Sequence, residues 1–178
     1  QDQSPLVRRR AVEAAAQSIQ VSGSTDWIPH LITALSDDSS VAEVAAFAIG
    51  EYGPEVPDAL AAVQPLETMA VEHDEALCRE SAVAALGALH QGRDTVLAAL
   101  GDKATVRRRA VLALAPFEGD DVDEALRTAR TDRDWQVRQA AEDQIGALPD
   151  RDVPDRDDPE NDATGNAATE NAATENEV

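Results

Sequence analysis

The chain has 178 residues, of which 35 are acidic and 15 basic, for a formal net charge of −20. That balance argues against nucleic-acid binding, which needs a basic face to meet phosphates. The one cysteine, Cys78, excludes an internal disulfide, and no apolar run approaches membrane-spanning length, so a soluble cytoplasmic protein is expected.

Internal repetition organises the rest. Val-Arg-Arg-Arg-Ala-Val occurs at Val7–Val12 and again at Val106–Val111. With Val7 and Val106 as position zero, further copies fall into register at Val41, Cys78 and Val137. The copies lie 28 to 37 residues apart, the range of helix-pair repeats. Nine positions after each zero stands a small residue: Ala16, Gly50, Gly87, Ala115 and Gly146.

In chain order, Ser4 and Pro5 open a helix over about 5–20, with Val7, Ala11, Ala14, Ala15 and Ile19 at helical spacing. No helix precedes it and Gln1 is not a methionine, so a further segment upstream is expected, the alternative being an N-terminal cap of unusual form. Asp26-Trp27-Ile28-Pro29 starts a shorter amphipathic segment through Leu35, followed by a helix at 40–52 behind the capping residues Asp37–Ser40. Pro57-Asp58 starts the next short segment, which Pro65 should kink or divide, and a helix at 75–90 follows Asp74-Glu75. Arg93–Leu100 precedes a helix at 104–117, and Val122–Ala129 precedes one at 135–148. No stretch alternates with period two, so the fold class is all-α.

From Asp150 the composition changes: ten acids, two arginines and a recurring Asn-Ala-Ala-Thr-Glu, with Val153 the one branched apolar residue before Val178. Residues 150–178 are expected to form a disordered acidic tail.

The repeated copies resemble HEAT repeats, specifically the short PBS-lyase HEAT-like kind. The likeness rests on an acid, Val-Arg, Ala-Ala and Ile-Gly, as in Asp134, Val137-Arg138, Ala140-Ala141 and Ile145-Gly146, and covers residues 4 to 148. It implies a right-handed α-solenoid of four to five helix pairs within residues 1–149, in units around 5–20, 26–53, 57–90, 93–117 and 120–148. Stacked second helices would line one continuous concave face. Ala42, where arginine is expected, and Ala115-Pro116, at a helix exit, depart from the pattern. The acidic, alanine-rich composition with Lys103 as its one lysine resembles proteins of salt-in halophilic archaea, whose hydrated carboxylates keep them soluble in high salt.

The same resemblance implies a structural ladder in which Arg8, Arg79, Arg107 and Arg138 bridge acids in the loop of the next unit. The acids nearest these arginines are Glu75, Asp102 and Asp134. Positions two and three of each copy are the candidate recognition surface, and position two should leave the core, because two residues turn a helix by about 200°. Arg9, Arg10, Glu43, Glu80, Arg108, Arg109 and Gln139 are therefore the candidate recognition residues, a groove of mixed charge suited to a protein or peptide. Trp27 and Trp135 read as sealing the ends of the inter-helix core, and Phe47, Tyr52 and Phe117 as packing.

No catalytic residue, metal set or cofactor motif is expected. His30, His73 and His90 lack a second histidine at ligand spacing, and no His-Glu dipeptide of the deoxyhypusine hydroxylase kind is present. The expected function is a non-catalytic protein-interaction scaffold. The alternatives are a module of a bilin-lyase-like enzyme, which would need a nucleophilic cysteine, and a spacer within a longer array.

Overall fold

The computed structural model describes residues 4–147; expectations placed on the acidic tail lie outside the described residues. Its elements are α1 (Pro5–Ser22), α2 (Ile28–Ala34), α3 (Ser39–Gly50), α4 (Val63–Glu72), α5 (Ala76–Ala88), α6 (Arg93–Ala98), α7 (Ala104–Ala113), α8 (Asp120–Ala129) and α9 (Trp135–Ala147). Short 3₁₀ turns occupy Pro57–Ala62 and Ala99–Gly101, and no strand occurs among the described residues.

Each element has a local cause. Pro5 sits in the first turn of α1, where its missing N–H has no partner to lose. The helix stops at Gly23, whose left-handed φ of 65° turns its N–H back onto the Ile19 carbonyl at 2.7 Å. Asp38 caps α3 by accepting from Ser40 N at 3.1 Å, and Asp134 caps α9 by accepting from Gln136 N at 2.9 Å. Ser4 and Glu75 occupy cap positions without a side-chain cap bond, and Lys103 holds that position before α7. The segment does divide, but three residues ahead of Pro65. The 3₁₀ turn ends at Ala62, and Pro65 falls in the first turn of α4, where a proline is tolerated.

The second helices form one layer: α1 packs on α3, α3 on α5, α5 on α7 and α7 on α9. Against it, α2 lies on α3, α4 on α5 and α8 on α9, while α6 touches α5 and α7. Leu31, Leu66, Val96 and Val122 from the first helices meet Ile49, Leu86, Val106 and Leu114 from the second, all fully buried. Each such side chain contributes roughly 1.5–3 kcal/mol of transfer free energy. Val7, the zero position of the first copy, is instead exposed, beside a hollow lined by α1 and α2.

The small residue at position nine explains the tight second-helix layer. A Cβ added at Gly87 would meet the Ala113 Cβ at 2.6 Å and its Cα at 2.8 Å, so α7 crosses α5 where only glycine fits. At Gly50 the corresponding approach, to Ala85 Cα, is 3.3 Å.

Three of the five aromatic residues depart from expectation. Tyr52 is buried, its hydroxyl donating to the Ser24 carbonyl at 2.8 Å, and Phe117 packs against the core. Trp27 and Trp135 do not seal the core; both are exposed, Trp27 tilted against the His30 ring with centroids 6.3 Å apart. Each stands at a helix start, where the ring projects beyond the inter-helix contact. Phe47 is exposed as well.

Candidate functional site

The arginine at position one of each copy lies at the start of its second helix, where the loop of the following unit comes within reach. Arg8 donates through Nε and Nη2 to the two Asp37 carboxylate oxygens at 2.7 and 2.6 Å. Arg79 does the same to Asp102 at 2.6 and 2.8 Å, and Arg107 to Asp132 at 2.8 and 2.7 Å. These are two-pronged, charge-assisted bonds that only a planar guanidinium makes. The remaining nitrogen holds the arginine's own loop: Arg79 Nη1 donates to the His73 and Asp74 carbonyls, Arg107 Nη1 to Asp102 O, and Arg138 Nη1 to Asp132 O and Arg133 O.

The aspartates complete the clamp by accepting loop N–H groups, Asp37 from Asp38, Asp102 from Lys103 and Asp132 from Asp134. The guanidinium beside each holds the carboxyls of Asp37, Asp102 and Asp132 below the ordinary carboxylate range, against the opposing effect of burial. Of the acids expected to form rungs, Asp102 does; Glu75 and Asp134 lie at helix starts and make none, Asp132 standing in the place expected for Asp134 and Asp37 forming the Arg8 rung in a different loop from Glu75. The partner acid stands four or five residues before the next zero position, and both corrected residues stand only three before it.

One junction has no rung. Position one of α3 is Ala42, fully buried, and the Asp74 that its arginine would meet is exposed. At that junction the Cys78 thiol, 1% exposed, donates to the Ser39 carbonyl at 3.3 Å. Burial, with Glu43 and Glu75 nearby, pushes this thiol's pKa up and keeps it neutral.

The candidate recognition residues divide. Arg9 and Arg10 both pair with Glu13 of their own helix, at 3.0 and 2.6 Å. Gln139 donates to Asp143 at 2.9 Å, also within one helix. Arg108 is exposed, and Glu43 is partly buried at the corresponding place on α3. Glu80 and Arg109 come together across α5 and α7, with Arg109 Nη2 and Nε 3.2 and 3.4 Å from Glu80 Oε1.

That pair borders a hollow of about 230 Å³ lined by Phe47, Gly50, Glu51, Glu80, Ser81, Ala84, Ala85, Ala88 and Arg109. A second hollow of about 490 Å³ shares Ala84, Ala88 and Arg109 with it and continues past Leu112 to Pro116. Together they make a trough across α3, α5 and α7, floored by small residues. Phe47, 57% exposed, forms its apolar wall. Sequence reasoning placed Phe47 in the packing, yet it lies four residues after Glu43 and so shares that residue's outward face. That spacing was the available signal.

Among the described residues no group of three or more His, Cys, Asp or Glu side chains is placed to hold a metal, and no buried side-chain nitrogen or oxygen lacks a hydrogen-bond partner. No helix of the described residues is long and apolar enough to cross a membrane.

Residues 1–87 match the model of the family described as HEAT repeats, a match that runs from the chain start to the last turn of α5 and supports HEAT repeats as its family. No curated protein compared with the chain matches it.

Proposed function

We propose that this HEAT-repeat chain is a non-catalytic protein-interaction scaffold whose outward second-helix face receives a segment of another protein. HEAT repeats commonly serve as interaction scaffolds, a rigid stack offering an extended surface to a partner. The observation that carries the reading is the trough across α3, α5 and α7 with Phe47 exposed on its wall. Large aromatic side chains left in water at a concave place are the usual anchors of protein contacts. The finer reading is a right-handed solenoid of the PBS-lyase HEAT-like kind, with this face concave, working in the high-salt cytoplasm of a halophilic archaeon. The partner is a protein or peptide rather than nucleic acid, since phosphates would meet a chain of net charge −20.

A bilin-lyase-like module is the second reading, and it needs a reactive thiol. The buried, neutral Cys78 favours the scaffold. Thiol labelling of the folded chain should be slow and should accelerate only on unfolding; rapid labelling of the native chain would favour the lyase. A spacer within a longer array is the third reading, and it has no use for an exposed trough.

Partner capture from the host at its native salt tests the scaffold. Glu43→Lys with Arg108→Glu should release the captured protein, while Asp58→Lys with Glu72→Lys, in the first-helix layer, should not. Retention by the first pair and release by the second would place binding on the other layer and reject the proposal.

A further inference from the structure

We infer that the trough is built for a basic segment of the partner, one that seats an apolar side chain against Phe47 and presents arginine or lysine to Glu51 and Glu80. This inference rests on the scaffold reading and specifies the chemistry of its partner.

The hollow beside Phe47 lies below the roughly 300–1,000 Å³ of small-molecule sites, so it suits a single side chain rather than a cofactor. Its floor is Gly50, Ala84 and Ala88, which expose no polar side chain and let an aliphatic group reach the helix backbones. Its charged lining is two carboxylates, Glu51 and Glu80, against one guanidinium, Arg109. Glu43 stands on the same face of α3 as Phe47 and adds a third carboxylate beside the trough.

The Glu80–Arg109 pair is looser than the ladder rungs. Its bonds of 3.2 and 3.4 Å exceed the 2.6 to 2.8 Å of Arg79–Asp102 and Arg107–Asp132, and both exceed the usual charge-assisted length of about 2.7–2.9 Å. A carboxylate held that loosely is able to accept a second cation without losing a well-formed bond. Glu51 takes the Gln20 amide at 2.7 Å and is an exposed residue of the trough's lining.

Charge complementarity selects this occupant over others. A second copy of the chain would bring another −20 to an acidic surface. An acidic peptide or a nucleic acid would meet the same repulsion. A basic segment pairs with Glu51 and Glu80 at contact distance, where salt screens least, and is fixed in register by the apolar anchor.

A random peptide library selected on the full chain tests this directly. The enriched peptides should combine one aliphatic or methionine side chain with arginine or lysine nearby. An enriched peptide, followed by fluorescence anisotropy, should lose on the order of ten-fold or more in affinity on Phe47→Ala, as an aromatic anchor does, and comparably on Glu51→Arg. Both positions are exposed, so circular dichroism should show both variants folded. Enrichment of acidic peptides, or affinity unchanged by both substitutions, would overturn the inference. If binding were instead lost only on Glu43→Lys with Arg108→Glu, the scaffold would stand and this occupant would fall. If no peptide enriched, the inference would likewise fall, and host capture would decide the scaffold separately.

Discussion

Removing one arginine of the ladder should destabilise the stack in proportion to how far its rung is withdrawn from water. Arg107 is the strongest case: its side chain is 6% exposed and that of Asp132 16%. Arg107→Ala deletes two bonds to Asp132 and one to Asp102 O, and leaves the Asp132 carboxylate with only the Asp134 N–H. Stranding one member of a buried pair costs about 3–5 kcal/mol, and the residual access of water to Asp132 lowers the expectation to about 2–4 kcal/mol. Arg8→Ala breaks the same geometry where both side chains are about a quarter exposed, and about 1 kcal/mol is expected there. Urea unfolding followed by far-ultraviolet circular dichroism measures both. Because each rung joins consecutive units, Arg107→Ala should also separate unfolding beyond α7 from the rest, seen as a broadened transition with a reduced m-value. Equal losses for the two variants, or a change under about 0.5 kcal/mol for Arg107→Ala, would refute the claim that burial gives the ladder its strength.

The depressed carboxyls of Asp37, Asp102 and Asp132 give stability that is fully present above their ordinary pKa of 3.8 and is lost as pH falls through the lower folded values. Urea midpoints should therefore drop between about pH 4 and pH 2, and Asp132→Asn should drop less steeply than the parent; equal slopes would count against the rung. Gly87→Ala should destabilise by about 1–3 kcal/mol through its clash with Ala113, whereas Gly146→Ala, with nothing within 4 Å of the added Cβ, should gain up to about 1 kcal/mol from helix propensity. Thermal melts separate the two, and a loss at Gly146 as large as that at Gly87 would contradict the packing described. With 35 acidic residues, the helices should melt at higher temperature in molar salt than at low salt, and an unchanged midpoint would reject the halophile reading.

Repetition made the helices readable. Five copies in register located α1, α3, α5, α7 and α9, because apolar residues three and four apart can satisfy only a helix. Their ends were less legible: α7 stops at Ala113 and not at 117, since Leu112 to Leu114 close in a tight turn before Pro116. The ladder was half legible. The arginines stand at a constant place in the repeat, but their acids lie 23 to 29 residues on, in loops of varying length, so Asp37 and Asp132 passed unnoticed beside Glu75 and Asp134. The trough was the least legible. Position six of the copies reads Glu13, Phe47, Ala84, Leu112 and Asp143, and no constant residue type marks it. Phe47 looks like core until the neighbouring helix is in place to show which side of α3 it covers.

Side-chain footprinting by hydroxyl radicals, with and without a captured partner, tests the central claim that the outward second-helix face is the working surface. Phe47 on α3 and Leu60 and Val71 in the first-helix layer are all exposed in the free chain and all react with the radical. Protection of Phe47 with Leu60 and Val71 unchanged is the predicted result. Protection of Leu60 and Val71 with Phe47 still reactive would contradict it.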